Sequence, residues 1–288
     1  MILGSRDDRR RPTWLPRAKT VQVHWNDDLA LERICSGIDV VIHTAGMNAN
    51  DCAQDPVAAL AFNGVATARL VLAARRMGVV RFVYLSTAHV YASPLVGTIT
   101  EETCPRNLHP YATSHLAGEQ AVLGACSSGN IKGVILRLSN AFGAPTHENV
   151  NCWMLVVTDL CRQAVQNGQL VLATSGTQLR DFVSLTEVCR VTEHLVTNTD
   201  GAANTGVFNV GGGASQSIIG MAQLIQQRAK QVLGFEPTLH RPSSDAIDSR
   251  MSLDYRVDRL ATTGIEIKAS DNVAEIDELL RHCILKYC

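Results

Sequence analysis

The sequence predicts an α/β protein with a parallel sheet covered by helices. Short apolar runs alternate with longer segments of helical periodicity through the first 140 or so residues, which is the pattern of such a sheet. The chain has 288 residues, 46% of them hydrophobic. That is enough to bury the core of one domain, or of one domain with a small appended lobe.

The apolar runs of the first half predict four strands, at residues 21–23, 40–43, 81–85 and 134–138. Helical spacing of apolar residues predicts helices at 29–36, 56–77 and 112–126. In the second of these helices Leu60, Val65 and Leu72 fall on a helical repeat, and Gly78 stands where a helix should stop. The order is strand and helix in alternation, as a parallel sheet requires.

The pattern loosens after about residue 150, and we therefore predict two parts. Residues 1–150 would form the main domain, and residues 151–288 mainly a smaller lobe with some segments returning to the main domain. The lobe has short predicted strands at 170–172, 182–183 and 207–210, and predicted helices at 153–165, 185–196, 218–233 and around 273–283.

Composition excludes several classes of partner. The net charge is −1, and no basic patch or Lys/Arg run indicates nucleic acid or an anionic membrane surface. No apolar run reaches the roughly 20 residues of a membrane helix, and the amino terminus lacks the order of a secretory signal. The nine cysteines form no C-x-x-C pair and have no histidine at ligand spacing. We expect a cytoplasmic protein without a metal site.

Seven segments carry a family resemblance: 39–46, Asn63 with Thr67, 81–91, 111–115, 136–143, 178–183 and 208–211. Among them are Asp39-Val-Val-Ile-His-Thr-Ala-Gly46, Tyr111-Ala-Thr-Ser-His115 and Gln178-Leu-Arg-Asp-Phe-Val183. In this order they resemble the extended short-chain dehydrogenase/reductase family of sugar-nucleotide epimerases, dehydratases and reductases. The resemblance covers nearly the whole chain. It implies a doubly wound, Rossmann-like domain and a small carboxyl-terminal α/β substrate lobe.

The resemblance implies that Tyr111 is the catalytic acid/base and Thr87 the hydroxyl residue that assists it. A tyrosine serves a sugar hydroxyl near neutral pH only if its pKa of about 10 falls, which a neighbouring cation achieves. The family has lysine four residues after the tyrosine, whereas this chain has His115. With a reference pKa of about 6.5, histidine would be mostly uncharged near neutral pH and would help less.

The resemblance also implies an NAD or NADP cofactor. The residues expected to contact it are Ala45, Gly46, Asn63, Ser86, Asp27, Tyr111 and His115. Arg6, where the family's second strand ends, would favour the 2′-phosphate of NADP, whereas Asp7 argues toward NAD. A plain surface charge explains Arg6 better than either cofactor contact. NAD is slightly preferred. A bracing role alone could explain Asn63, and His24 aligns about as well as Asp27 with the adenine contact.

The implied substrate is a nucleotide sugar. Arg180 and Arg241 resemble the arginines that grip its diphosphate, and Asn140 resembles a substrate-binding asparagine. Any one of them could instead be an ordinary surface residue. Ala88 and His89 stand where the family's dehydratases carry an acidic pair, so water elimination is disfavoured.

A second departure from the family lies near residue 1. Met1 to Arg6 resembles the family's second strand, and no glycine-rich strand-turn-helix unit occurs before Val21. We therefore expect an amino-terminally truncated Rossmann-like domain without its first βα unit. The triplet at 211–213 lacks the G-x-G-x-x-G spacing and is interpreted as structural.

Two functional hypotheses remain open at this point. The first is an NAD(P)-dependent sugar-nucleotide epimerase or reductase/dehydrogenase that transfers hydride at a sugar hydroxyl or ketone. The second is a catalytically impaired or non-catalytic family member that binds a nucleotide sugar or a protein partner. A homodimer is possible, because two-helix dimer interfaces are common in the family.

Overall fold

A computed structural model describes residues 1–6, 12–127, 129–147, 150–198, 205–243, 252–268 and 271–288. The chain forms two compact units that interleave along the sequence. Unit one comprises Met1–Val90, Arg106–Leu136 and Asn198–Val207, and unit two comprises Tyr91–Pro105, Arg137–Thr197 and Phe208–Cys288. The single boundary near residue 150 stays a prediction from sequence.

Unit one has two sheets. Strands β1 (Ile2–Ser5) and β2 (Lys19–Gln22) pair in parallel as one sheet. The other has the order β10-β6-β4-β3, with β3 (Val40–His43) parallel to β4 (Arg81–Thr87). Its remaining strands, β6 (Lys132–Leu138) and β10 (Gly206–Val210), begin in unit one and end in unit two. Among the described residues, no further strand pairs with the outer edges of β1 and β3.

The helices of unit one begin where the sequence provides caps. Asp27, Asn48 and Asp55 each accept a hydrogen bond from a backbone N–H of the first turn that follows, which satisfies donors that a helix leaves unpaired. The helices are α1 (Asp28–Cys35), α2 (Ala49–Gln54), α3 (Pro56–Ala59), α4 (Thr67–Arg76) and α5 (Pro110–Cys126). A π-helical segment, Leu60–Ala66, joins α3 to α4. Gly78 ends this run with φ of 79°, as its position predicted.

A fully buried apolar cluster holds unit one together. Leu31 of α1, Val71 of α4, Phe82 of β4 and Ile135 of β6 are each 0% exposed. Burying one such side chain stabilises the fold by roughly 1.5–3 kcal/mol. The cluster fixes α4 and α5 against the sheet, and thereby sets where the carboxyl end of β4 meets the start of α5.

Unit two contains the remaining elements. Its strands are β5 (Gly97–Ile99), β7 (Asn140–Phe142), β8 (Gln169–Val171), β9 (Leu179–Ser184), β11 (Ser215–Ser217), β12 (Thr238–His240) and β13 (Leu253–Tyr255). Its helices are α6 (Val156–Asn167), α7 (Leu185–Thr197), α8 (Ile218–Leu233), α9 (Asp258–Ala261) and α10 (Asp271–Tyr287). Strand β9 is central to one sheet, parallel to β7 and antiparallel to β11. Apolar faces of α6, α8 and α10 pack together as its core.

The helical run Pro56–Arg76 is long and apolar enough, by length and composition, to cross a membrane, with half of its apolar window buried inside the structure. Polar residues such as Asn63 and Thr67 interrupt the apolar sequence of this run, so it is not the continuous apolar run that the sequence analysis excluded. Both side chains are 0% exposed, as in a helix that packs within a protein core.

Candidate active site

Tyr111 and Thr87 come together at the end of a strand. Thr87 is the last residue of β4, and Tyr111 is the second residue of α5. Hydrogen bonding from Thr87 lowers the pKa of Tyr111, but burial raises it more, so the phenol pKa stays above its ordinary value. Thr87 is 4% exposed, and its Oγ1 accepts a hydrogen bond of 3.1 Å from the backbone N–H of His89. The pair can present a phenol and a hydroxyl to one oxygen.

His115 is a neutral imidazole in this site. Its ring stands edge-on to the ring of Tyr111, with 4.6 Å between the centroids. Its Nδ1 lies 2.8 Å from the hydroxyl of Tyr84. Burial lowers the pKa of His115 to about 4. At neutral pH it therefore supplies no cation to Tyr111, which strengthens the expectation drawn from its reference pKa.

Ser86 and Asn63, expected to contact the cofactor, both have partners inside the protein. Ser86 donates a 2.5 Å hydrogen bond to the buried carboxylate of Glu119. Asn63 accepts from the backbone N–H of Met47 at 2.8 Å and donates to Ser114 at 3.0 Å. Asn63 also donates to Sγ of Cys52 in α2 at 3.6 Å, so it braces the loop after β3 against both α2 and α5.

The turn after β3 contains Ala45 and Gly46. A side-chain carbon added at Gly46 would lie 3.4 Å from Cε1 of His115 and 3.5 Å from Oδ1 of Asn63. This is ordinary packing distance, so the missing side chain of Gly46 faces the protein. The close approach of a cofactor to this backbone stays a prediction.

The residues expected near adenosine have structural contacts of their own. Asp27 caps α1, and its Oδ1 accepts from the backbone N–H of Ala30 at 2.9 Å. The carbonyl of Arg6 accepts a hydrogen bond from Gln22. Asp7, which argued for NAD, lies outside the described residues.

The three predicted substrate residues all belong to unit two. Asn140 donates to the backbone carbonyl of Asp181 at 2.8 Å and so fixes β7 against β9. Arg180 lines a cavity of about 260 Å³ together with Ser93–Val96, Gln178 and Leu179, and burial lowers its pKa. Arg241 donates to the carbonyl of Ser175 at 3.0 Å. In the described part of the chain neither arginine pairs with a carboxylate.

The profile of the NAD dependent epimerase/dehydratase family matches residues 2–211. The chain belongs to this family. The family assignment and the parallel-sheet α/β fold predicted from the sequence are thereby confirmed. Within the described residues, no group of three or more His, Cys, Asp or Glu side chains could hold a metal ion.

The names of curated relatives describe enzymes that act on nucleotide sugars. The chain is 36% identical over 167 residues to a dTDP-6-deoxy-L-talose 4-dehydrogenase (NAD(P)(+)) from Kitasatospora kifunensis, covering 57% of this chain and 51% of the relative. The chain thus spans about half the length of that relative.

Solved structures of the family share the fold. One is UDP-glucose 4-epimerase from Thermotoga maritima with UDP-glucose, at 20% identity and a TM-score of 0.78, covering 98% of this chain and 89% of that one. Another is UDP-glucuronic acid 4-epimerase from Bacillus cereus with NAD, at 22% identity and a TM-score of 0.75, covering 94% and 82%. At these identities the likeness shows the fold alone.

Sequence reasoning missed two buried polar groups, Tyr84 in unit one and Asp181 in unit two. Tyr84 lies inside the segment Arg81-Phe-Val-Tyr-Leu85, where a strand was predicted, and its polar hydroxyl among apolar neighbours was the available signal. Asp181 lies beside Arg180 in the 178–183 motif. It is 1% exposed, and its Oδ1 accepts from the backbone N–H of Gly212 at 2.7 Å. A side chain at Gly212 would collide with the carbonyl of Phe182, so the contacts of this glycine are with protein atoms.

The raised pKa of Asp181 predicts that the stability of the protein depends on pH. Burial raises its pKa from 3.8 to about 6, so the native state binds the proton more tightly than the unfolded state. Its ionised form therefore destabilises the fold above pH 6, and the penalty disappears as the pH falls toward 4. From pH 7 to pH 5, the free energy of unfolding of the unmodified protein should rise by ~1 kcal/mol relative to Asp181→Asn.

Urea unfolding at both pH values measures this difference. Asp254→Asn, which removes an exposed carboxylate paired with Arg256, is the control and should track the unmodified protein. Equal pH dependence in the unmodified protein and Asp181→Asn would contradict the prediction.

Proposed function

We propose that this chain catalyses NAD(P)-dependent hydride transfer at a hydroxyl or ketone of a nucleotide sugar, as an epimerase or a reductase/dehydrogenase. The observation that carries the proposal is the meeting of Tyr111 and Thr87 at the carboxyl end of β4. Ligands of doubly wound sheets gather at this end of the strands. The names of the relatives support the substrate class.

The protonated state of Tyr111 favours one direction. Because the pKa of Tyr111 is raised by burial and His115 is neutral, the phenol keeps its proton at neutral pH. Tyr111 can then donate this proton to a substrate carbonyl oxygen as the oxygen becomes a hydroxyl, while Thr87 donates a hydrogen bond to the same oxygen. We therefore infer that ketone reduction is faster than alcohol oxidation at neutral pH.

Tyr111, Thr87 and His115 could hold the nicotinamide-ribose end of a nicotinamide dinucleotide. Such a cofactor supplies or accepts the hydride. His115 Nε2 has no hydrogen-bond partner among the described residues and is not closed off from solvent, so it can bond a ribose hydroxyl. Tyr111 and Thr87 lie beside it. No described residue is assigned to the pyrophosphate. NAD is preferred to NADP only on the sequence argument.

The substrate would be held by unit two. Arg180, which lines the cavity of about 260 Å³, and Arg241 are proposed to bind the diphosphate, because guanidinium groups match phosphate oxygens in geometry. Asn140 is proposed to bind the same substrate through its carbonyl oxygen, since its amide N–H already donates to Asp181. Water elimination is not proposed, because Ala88 and His89 after Thr87 carry no carboxylate.

The test is sugar-dependent oxidation of reduced cofactor. Purified protein is mixed with NADH or NADPH and a panel of UDP- and dTDP-linked 4-keto sugars, and the loss of reduced nicotinamide absorbance is followed. The reverse assay uses the hydroxyl sugars with NAD or NADP. We expect turnover with at least one sugar, faster in the reductive direction. No turnover with any of them by a folded sample would count against the proposal.

A second candidate, binding of a nucleotide sugar without turnover, is favoured by the neutral His115. Calorimetric titration with UDP-glucose and dTDP-glucose distinguishes a protein that binds nucleotide sugars without turnover from one that does not bind them. Binding that Arg180→Gln weakens, while the exposed-helix control Arg281→Gln leaves it unchanged, would support this candidate if no turnover is seen. Absence of both binding and turnover would contradict both candidates.

We propose a cytoplasmic location, because all nine cysteines are free thiols, as in a reducing compartment. Four of them, Cys35, Cys52, Cys161 and Cys283, are buried. Neither nucleic acid nor a membrane is proposed as a partner. A homodimer also stays a prediction, and light scattering during size-exclusion chromatography measures it directly.

A further inference from the structure

The hydroxyl of Tyr84 is built into the protein so that it reaches His115. Tyr84 is 0% exposed, and its ring stacks on that of His115 with 5.9 Å between centroids and 27° between planes. The hydroxyl lies 2.8 Å from Nδ1 of His115. A side-chain carbon added at Gly118 would come within 2.8 Å of this hydroxyl. The glycine in the middle of α5 thus leaves the room that the hydrogen bond needs.

Acidity decides which of the two groups, the phenol of Tyr84 or the imidazole of His115, donates this hydrogen bond. A phenol loses its proton near pH 10, whereas a neutral imidazole N–H does not titrate in that range, so the phenol O–H is the better donor of the two. A neutral ring that accepts at Nδ1 carries its proton at Nε2. That nitrogen lies about 3.5 Å from the side-chain position of Gly46 and has no hydrogen-bond partner among the described residues.

We propose that Tyr84 is a positioning residue that holds His115 in its Nε2–H tautomer and so fixes a neutral hydrogen-bond donor beside Gly46. In the proposed function this donor bonds a ribose hydroxyl of the cofactor, without the charge that the family's lysine would bring to Tyr111. That consequence rests on the proposed function. The tautomer and its dependence on Tyr84 do not.

The test uses the full chain labelled with ¹⁵N-histidine, with the His115 signals assigned by their loss in His115→Gln. In the unmodified protein we expect Nδ1 to resonate as an unprotonated nitrogen and Nε2 as a protonated one. In Tyr84→Phe, both signals should move toward the average of two exchanging tautomers. A protonated Nδ1 in the unmodified protein would overturn the proposal, and this measurement needs no variant.

Tyr91→Phe is the matched control. Tyr91 is another buried tyrosine, and it donates a 2.7 Å hydrogen bond to Asn209 within unit two. Its variant loses the same group and should be destabilised similarly, but should leave the His115 signals unchanged. Identical His115 spectra in Tyr84→Phe and the unmodified protein would also overturn the proposal.

Kinetics add a second measurement where turnover is found. Tyr84→Phe should lower kcat about tenfold and leave the KM for the nucleotide sugar within about twofold, because the hydrogen bond acts on His115 and not on the sugar. An unchanged kcat would contradict the functional consequence. If the unmodified protein shows no turnover, the proposed function fails while the ¹⁵N spectra still decide the role of Tyr84.

Discussion

Tyr111→Phe is expected to lower kcat for the sugar-dependent reaction at least 100-fold, the loss typical when a positioned acid/base is removed. The hydroxyl is the only part of Tyr111 that the variant changes. The ring contact with His115, 4.6 Å between centroids, stays in place, so the start of α5 should keep its geometry. The KM for the nucleotide sugar should change by less than about threefold, because the loss concerns proton transfer and not binding.

Steady-state kinetics with the best sugar of the panel measure this effect, and urea unfolding checks that the variant is folded. Tyr287→Phe, at the half-buried end of α10, is the control and should retain full activity. Activity of Tyr111→Phe within about threefold of the unmodified protein would remove Tyr111 from the proposed role and leave Thr87 without its partner.

Two elements have the bounds that the sequence predicted. Predicted strand 40–43 coincides with the observed β3, and predicted helix 218–233 coincides with the observed α8. The apolar residues of α8 recur at helical spacing, and Met221, Ala222, Ile225 and Ala229 on one face are buried. In β3, by contrast, Ile42 is 48% exposed, so this strand is marked by its apolar composition and not by a buried repeat. The short strands β5, β12 and β13 were not predicted. Each has three residues, too few for a periodicity to show, and each is defined by pairing with a distant segment.

The meeting of Tyr111 and Thr87 was predictable, but the protonation states and hydrogen-bond partners of the groups around them were not. Motif order placed Tyr111 beside Thr87 without any distance being known. The neutral form of His115 was expected from its reference pKa. How far its pKa falls depends on burial, and its tautomer depends on Tyr84, which lies on β4. Likewise the sequence gives no sign that Ser86 bonds to Glu119, because this contact requires the register of α5 against β4.

His115→Lys should restore a charge next to Tyr111 and speed alcohol oxidation at neutral pH about tenfold. Oxidation needs the phenolate, and an ammonium group within a few ångströms lowers the pKa of a tyrosine by favouring its charged form. The alkaline rise of kcat should therefore move about one to two pH units lower. The hydroxyl of Tyr84, now 2.8 Å from His115 Nδ1, can accept a hydrogen bond from the ammonium and help to keep it charged.

Two effects of this substitution must be separated, since lysine differs from histidine in both length and charge. His115→Met provides an unbranched side chain without a charge, and should leave the pH profile of the unmodified protein in place. The site is only 6% exposed, so desolvation opposes the charge of the new lysine and limits the shift. If the pH profile of kcat moves in His115→Lys but not in His115→Met, the charge at position 115 controls the pKa of Tyr111. If His115→Lys does not oxidise the sugar faster, the missing charge is not what limits this site, and binding without turnover becomes the better account of the chain.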